Sequence, residues 1–99
     1  MNKKIQTLIE KKIKKNFLNS KFLIKNTSSK HKTHKQNILG NETHFLIILE
    51  TIKFTQLSKL ERQRLLLKIL GKDIIDKVHS ISMKLSSPNE KKYLINLKE

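Results

Sequence analysis

The sequence predicts an α+β sandwich in which helices cover one face of a three-stranded β-sheet. Three features indicate this class: an amphipathic N-terminal segment, two apolar strand-like segments separated by a long polar stretch, and an alternating segment after a capped helix. The chain has 99 residues, of which 36% are hydrophobic, and this size and composition are typical of one domain with a modest core. We therefore expect a single domain over residues 1–99.

The first element is an amphipathic helix over residues 3–17. Its apolar side chains recur at helical spacing: Ile5, Leu8, Ile9, Ile13 and Phe17. Lysines occupy the other face, and a stripe of this kind normally faces a protein core, so we expect the helix to pack on the sheet. A helix that lies on a membrane surface is the less favoured alternative.

Two strands follow, and an unusually long connection joins them. The stretch "SKFLIKN" predicts a short strand with Phe22 and Ile24 on one face. The stretch "THFLIILE" predicts an interior strand because its apolar run is almost continuous. We expect the two strands to pair as a hairpin across the polar segment 26–42. A connection of that length in so small a domain is more often functional or mobile than neutral.

A capping box predicts the start of the second helix, over residues 58–70. Ser58 is placed to cap the amides of the first turn, and Glu61 is placed to reach back to Ser58. Gly71 follows the last apolar residue, so we expect it to end the helix in the left-handed conformation.

The stretch "KVHSISMKL" alternates between apolar and polar residues and predicts the third strand. One face of this strand carries four side chains: His79, Ile81, Met83 and Leu85. Ser87 and Pro88 then predict the start of a short C-terminal helix, since proline is favoured at the first helical position.

The formal net charge of +14 admits two interpretations. A basic surface can bind nucleic acid, and the helix around "ERQR" offers four candidate contacts: Arg62, Arg64, Lys68 and Lys72. For the two arginines, salt bridges on the helix surface with Glu61 or another acid are the favoured alternative. However, 20 of the 22 basic residues are lysine, alanine is absent and valine occurs once, which indicates coding bias toward A and T. Arginine, which pairs bidentately with phosphate and guanine, is expected more often in a recognition surface. We therefore favour a biased, solvated surface.

Several classes of function are disfavoured by what the sequence lacks. Without cysteine the chain forms no disulfide, no cysteine-ligated zinc site and no cysteine nucleophile. No apolar run approaches the ~20 residues of a membrane span, and lysines interrupt the N-terminal segment too often for a secretory signal. We find no glycine-rich phosphate loop, nucleophilic serine motif or paired acids, so we expect a cytoplasmic protein that is not an enzyme.

The four histidines are the candidate ligands of this chain. His31 and His34 lie three residues apart in the polar connection, a spacing that alone is a weak metal signal. For His44, which precedes the apolar run of the second strand, we favour a structural role beside the core. His79 begins the third strand on its apolar face, where the alternatives are a buried core histidine and a ligand.

Four motifs, in order along nearly the whole chain, resemble those of the BolA family. They are Asn26-x-Ser28-x-x-His31, Glu42-Thr43-His44-Phe45, Arg62-Gln63-Arg64 and Val78-His79-Ser80-Ile81-Ser82. The chain departs from the family where Gln63 replaces the usual middle histidine, and the tryptophan common after the last strand is missing.

The resemblance implies an αββαβ fold like a class II KH domain without its Gly-x-x-Gly loop. It also implies a partner protein that binds a monothiol glutaredoxin around a shared [2Fe–2S] cluster and assists cluster trafficking or regulation. By the same resemblance His79 is one ligand and His31 is the loop ligand, as in the histidine-type subgroup, while the glutaredoxin cysteine and glutathione complete the set. His34 is a reserve ligand or supports a ligand, and His44 is structural.

The alternative function, also attributed to members of the BolA family, is a DNA-binding transcriptional regulator. It would use the KH-like fold and the basic residues of the second helix. No membrane partner is expected, and a weak homodimer is left open.

Overall fold

The computed structural model describes residues 4–28 and 43–90. Predictions for the connection that carries His31 and His34 lie outside the described residues. The C-terminal helix predicted to begin at Ser87 and Pro88 does not begin there: residues 87–90 form a turn, closed by the Glu90 amide, which donates to the Ser87 carbonyl at 3.0 Å, and the residues beyond 90 are not described. The elements are α1 (Lys4–Asn16), β1 (Lys21–Asn26), β2 (His44–Glu50), a 3₁₀ turn (Ile52–Phe54), α2 (Lys59–Leu70), α3 (Lys72–Ile75) and β3 (Ser80–Ser86). The predicted α+β class is confirmed, and the 3₁₀ turn and α3 are additions to it.

The sheet has the order β1-β2-β3. β1 pairs with β2 as the predicted antiparallel hairpin, and β3 pairs with β2 in parallel. A parallel pair needs a crossover connection, which α2 and α3 provide. In this register His44 lies opposite Ser80 and Phe45 lies opposite Ile81. The beginnings of β2 and β3 therefore meet at one edge of the sheet.

The core lies between the two long helices and one face of the sheet. Its fully buried members from α1, β2 and α2 are Ile9, Ile13, Phe45, Ile47, Leu49, Leu66 and Leu70. Phe17 after α1, Phe54 of the 3₁₀ turn and Ile74 of α3 are equally buried. The alternation of β2 explains this face, because side chains two residues apart project to the same side of a strand. Ile48, on the other face, is also buried, as expected for an interior strand.

The prediction for the start of α2 is confirmed, whereas the prediction for its end is only partly correct. Ser58 Oγ accepts a hydrogen bond from the Glu61 amide at 3.1 Å, and Glu61 Oε1 accepts from the Ser58 amide at 2.8 Å, so the capping box is confirmed. Gly71 has the expected positive φ of 82°, but its ψ of 168° lies outside the left-handed helical region. This extended ψ turns the chain directly into α3 instead of into a loop.

Candidate functional site

His79 lies immediately before β3, with its side chain exposed at the edge where β2 and β3 begin. Its backbone is held in place, because the His79 amide donates to the Thr43 carbonyl at 2.7 Å and the Ser80 amide donates to the same oxygen at 3.2 Å. The alternative of a buried core histidine is therefore wrong. The residue offers an accessible imidazole on an anchored backbone.

His44 is the first residue of β2 and is half-buried beside His79. The two ring centroids are 5.5 Å apart, and the ring planes are inclined by 47°. His44 Nδ1 lies 2.8 Å from Thr43 Oγ1, a contact that fits the expected structural role. The sequence interpretation missed the proximity of the two rings. The parallel pairing of β2 and β3 brings the two backbones together, since His44 lies opposite Ser80, the residue after His79.

The connection between β1 and β2 begins and ends at this same edge. The Thr27 amide donates to the His44 carbonyl at 2.8 Å. Buried Ser28 accepts, through Oγ, from the amides of Thr43 at 2.9 Å and His44 at 3.1 Å. The Ser28 amide donates to Asn26 Oδ1 at 2.9 Å. Asn26 and Ser28 of the first motif therefore tie the two ends of the connection beside the histidines.

A groove runs along the side of β3 that faces α2 and reaches His79. Its volume is about 310 Å³. It is lined by Gln63, Leu67, Ile75, Val78, His79, Ser80, Ile81 and Met83. Most of these side chains are apolar, and within the described part of the chain β3 has no strand on its outer side. Gln63, the residue that departs from the family motif, thus lies in the wall of the groove next to the candidate ligand.

Arg62 is buried between α2 and the end of β3, so the prediction that it is a surface contact for nucleic acid is wrong. The residue is only 7% exposed. Its Nε donates to the Leu57 carbonyl at 3.0 Å, and Nη1 donates to the Leu85 carbonyl at 3.1 Å. Both terminal nitrogens bind the Glu90 carboxylate at 2.8 Å. Arg62 therefore joins α2 to the end of β3, whereas Arg64, Lys68 and Lys72 are exposed.

The exposed lysines are distributed over helices and strands. They include Lys11, Lys14 and Lys15 on α1, Lys21 and Lys25 on β1, Lys59 and Lys68 on α2, and Lys84 on β3. Every long helix and every strand except β2 thus carries exposed lysines in the described segments. The hydrogen bond from Lys12 holds the pKa of Asp73 below its usual value, at a surface pair away from the histidines.

No complete metal site is present in residues 4–28 and 43–90, since no three potential ligands among histidine, cysteine, aspartate and glutamate cluster there. The helices of these segments are also too short or too polar to cross a membrane. The edge of the sheet therefore offers two imidazoles, and any further strong ligands must come from outside the described residues.

Residues 13–90 match the sequence model of a family described as BolA-like protein. The "DNA-binding transcriptional regulator BolA" of Haemophilus influenzae is 28% identical over 86 residues, which cover 87% of this chain and 80% of that protein. BolA1 from Arabidopsis thaliana has a similar structure, with a TM-score of 0.73 and 21% identity over 87% of this chain and 94% of that one. BolA1 from Mus musculus has the same TM-score at 22% identity, over 94% of this chain and 71% of the other.

Proposed function

Because the chain belongs to the BolA-like family, we propose that it is a partner protein that binds a monothiol glutaredoxin around a shared [2Fe–2S] cluster. In this role it assists the trafficking or regulation of clusters in the cytoplasm and performs no catalytic step. The observation that carries the proposal is the exposed imidazole of His79, anchored at the edge of the sheet beside a second imidazole.

The donor set of this edge fits an iron–sulfur cluster that is shared with another protein. Neutral imidazole is a ligand for iron in such clusters, where it replaces thiolate and raises the reduction potential. The chain has no cysteine, so it cannot supply the thiolates that most clusters use. A glutaredoxin cysteine and glutathione would complete the set, and this division explains how a cysteine-free chain takes part in cluster chemistry.

The second ligand from this chain is proposed to be His31, with His34 as a reserve. Ser28, three residues before His31, is fixed at the edge that carries His79 by its contacts with Thr43 and His44. Three residues of fully extended chain span at most about 11 Å, and this sets the limit on the distance between the Ser28 and His31 backbones. The covalent chain therefore keeps this ligand within reach of the edge.

The groove beside His79 supports the part of the proposal that concerns a protein partner. Its apolar walls, which include Leu67, Ile75 and Met83, provide a surface that a partner can bury. A partner seated there would bring its own ligands next to the exposed imidazole and would exclude water from the cluster.

The test is reconstitution of a monothiol glutaredoxin with glutathione, iron and sulfide, with and without the purified chain. We expect the visible circular dichroism of the cluster to change when the chain is added, because imidazole replaces a ligand in its coordination sphere. A chain with Lys84→Ala is the control and should give the parent response, since Lys84 is exposed and lies opposite Ile48, four residue pairs along β3 from the His44–Ser80 pair. Spectra that do not respond to the chain at any ratio would contradict the proposal.

A second candidate function, DNA binding, is favoured by the name of the Haemophilus influenzae relative. On this chain it would rest on exposed Arg64, Lys68 and Lys72, since Arg62 is buried. Binding by scattered lysines should be indifferent to sequence and should fall steeply as salt rises, because counterion release sets its affinity. Fluorescence anisotropy of labelled duplexes at increasing salt measures this. Tight, sequence-selective binding at physiological salt would place DNA binding ahead of the glutaredoxin partnership.

A further inference from the structure

The geometry points to a metal site that needs neither glutaredoxin nor sulfide. We infer that His44 and His79 together bind one divalent transition-metal ion, such as Zn²⁺ or Co²⁺, on the isolated chain. The inference goes beyond the shared cluster because it concerns a mononuclear ion, and because it makes His44 a ligand in addition to its structural role.

The separation of the two rings matches a chelate. A Zn–N bond of about 2.1 Å and a ring radius of roughly 1.1 Å place the ion about 3.2 Å from each ring centroid. At a tetrahedral angle the two centroids would then be about 5.2 Å apart. The observed separation of 5.5 Å is close to this value, and it corresponds to an angle of about 120° at the ion. The ring separation therefore fits a shared ion once rotation of the side chains turns one nitrogen of each ring toward it.

The backbone holds both histidines at this separation. The amide of His79 donates to the Thr43 carbonyl, next to His44 in the chain, at 2.7 Å. His44 lies opposite Ser80 in the parallel ladder, so the two histidines are fixed to neighbouring strands. A site of this kind loses little conformational entropy when the ion binds, because the ligand backbones are already ordered.

Thr43 orients the ring of His44. Its hydroxyl lies 2.8 Å from His44 Nδ1, a contact that holds the ring in place in either tautomer. In the tautomer with a proton on Nδ1, the Thr43 hydroxyl accepts from Nδ1–H and the lone pair that binds a metal is on Nε2. Metal-bound histidines commonly donate a hydrogen bond from their other ring N–H to an acceptor of this kind, which fixes the orientation of the ring. Thr43 is therefore a positioning residue for this site.

The coordination sphere would be completed by water, since no third histidine, cysteine or carboxylate joins the pair within residues 4–28 and 43–90. Two imidazoles give a weaker site than the three or four protein ligands of typical zinc sites. We expect an open, exchangeable site that prefers ions suited to imidazole, such as Zn²⁺, Co²⁺ and Ni²⁺, over Mg²⁺ and Ca²⁺.

The test is a Co²⁺ titration of the full chain, followed by visible absorption and by paramagnetic shifts of the histidine ring signals. Saturable binding, with shifts at both His44 and His79, is expected for the parent. His79→Ala and His44→Asn should each lose it, whereas the double variant His31→Ala/His34→Ala should keep the parent affinity within about twofold. Thr43→Val should weaken binding by about tenfold, as expected for the loss of a group that orients a ligand.

Two results would overturn the inference: absence of saturable binding in the parent, or its persistence in His79→Ala. Loss of binding in the His31→Ala/His34→Ala variant would also overturn it, because the ligands would then come from the connection. Because His79 is exposed, its replacement is expected to leave the fold intact, and far-ultraviolet circular dichroism checks this. A parent that fails to bind Co²⁺ yet alters the glutaredoxin cluster would refute this site alone and leave the proposed function standing.

Discussion

Replacing Arg62 by alanine should destabilise the fold strongly although arginine is usually a surface residue. The Arg62 side chain is 9% exposed. Its guanidinium donates to the carbonyls of Leu57 and Leu85 and pairs bidentately with the Glu90 carboxylate. Net values for hydrogen bonds to a charged group are about 1.5–3 kcal/mol. The Glu90 side chain is 43% exposed, so water screens that pair and its share is discounted. We expect a loss of about 2–4 kcal/mol in the free energy of unfolding.

Urea denaturation followed by circular dichroism measures this loss. For a domain of this size, about 2–4 kcal/mol corresponds to a decrease in Tm on the order of 10–30 °C. Arg64→Ala is the matched control, since Arg64 is exposed two residues away on α2 and should change the free energy of unfolding by no more than about 0.5 kcal/mol. Equal stabilities for the two variants, together with a selective loss of DNA binding in Arg62→Ala, would refute the structural role of Arg62.

Three further predictions concern other parts of the molecule. Ser28→Ala should lower the free energy of unfolding by about 1–3 kcal/mol, because the amides of Thr43 and His44 lose their buried acceptor. Ser82→Ala, at an exposed position of β3, is the control, and equal losses for the two variants in urea denaturation would contradict the reasoning. The pKa of Asp73 should rise toward its usual value in Lys12→Ala, as measured by carboxyl NMR titration. In the parent, the pair stabilises the fold at any pH above the usual pKa of aspartate, and this stabilisation is lost as the pH falls through the lowered pKa of the folded state. The isolated chain should retain no stable [2Fe–2S] cluster after gel filtration, since its imidazoles are too few for two irons, and a stoichiometric cluster on the chain alone would contradict shared ligation.

The regular elements could be predicted because their patterns extend over several turns or residue pairs. The helices expected at 3–17 and 58–70 are found at Lys4–Asn16 and Lys59–Leu70, and the strand expected at "THFLIILE" is the central strand. α3 and the 3₁₀ turn have four and three residues, which is too short to show a hydrophobic period. Their formation depends on the path that the chain takes between α2 and β3 and between β2 and α2.

The salt bridge with an acid that the sequence favours for Arg62 is found with Glu90. The burial of Arg62 was not predicted because its residue type is polar, although its position carried a usable signal. It lies four residues before Leu66 and eight before Leu70, and these three form the buried stripe of α2. A polar residue on such a stripe is expected to be buried and paired. Its partner Glu90 could not be predicted from helical spacing, because it comes from the segment after β3.

The order of the elements in the sequence already indicated that the backbones of His44 and His79 lie close together. A helix between two strands indicates a parallel pair, and parallel strands begin at the same edge of a sheet. The sequence interpretation placed each histidine at the start of its strand but did not combine the two positions. The ring separation itself depends on the register of β2 and β3, which tertiary packing sets.

The central claim, that the His79 imidazole binds iron in the shared cluster, is tested most directly by pulsed electron paramagnetic resonance. The reduced cluster on the mixture of this chain and glutaredoxin should show strong ¹⁴N coupling from a directly bound imidazole. His79→Ala should remove this coupling and the shared cluster, because the anchored ligand is lost, whereas His31→Ala should weaken the cluster without abolishing it, since His34 can substitute. A parent complex without strong ¹⁴N coupling, or the same coupling in His79→Ala, would contradict the account.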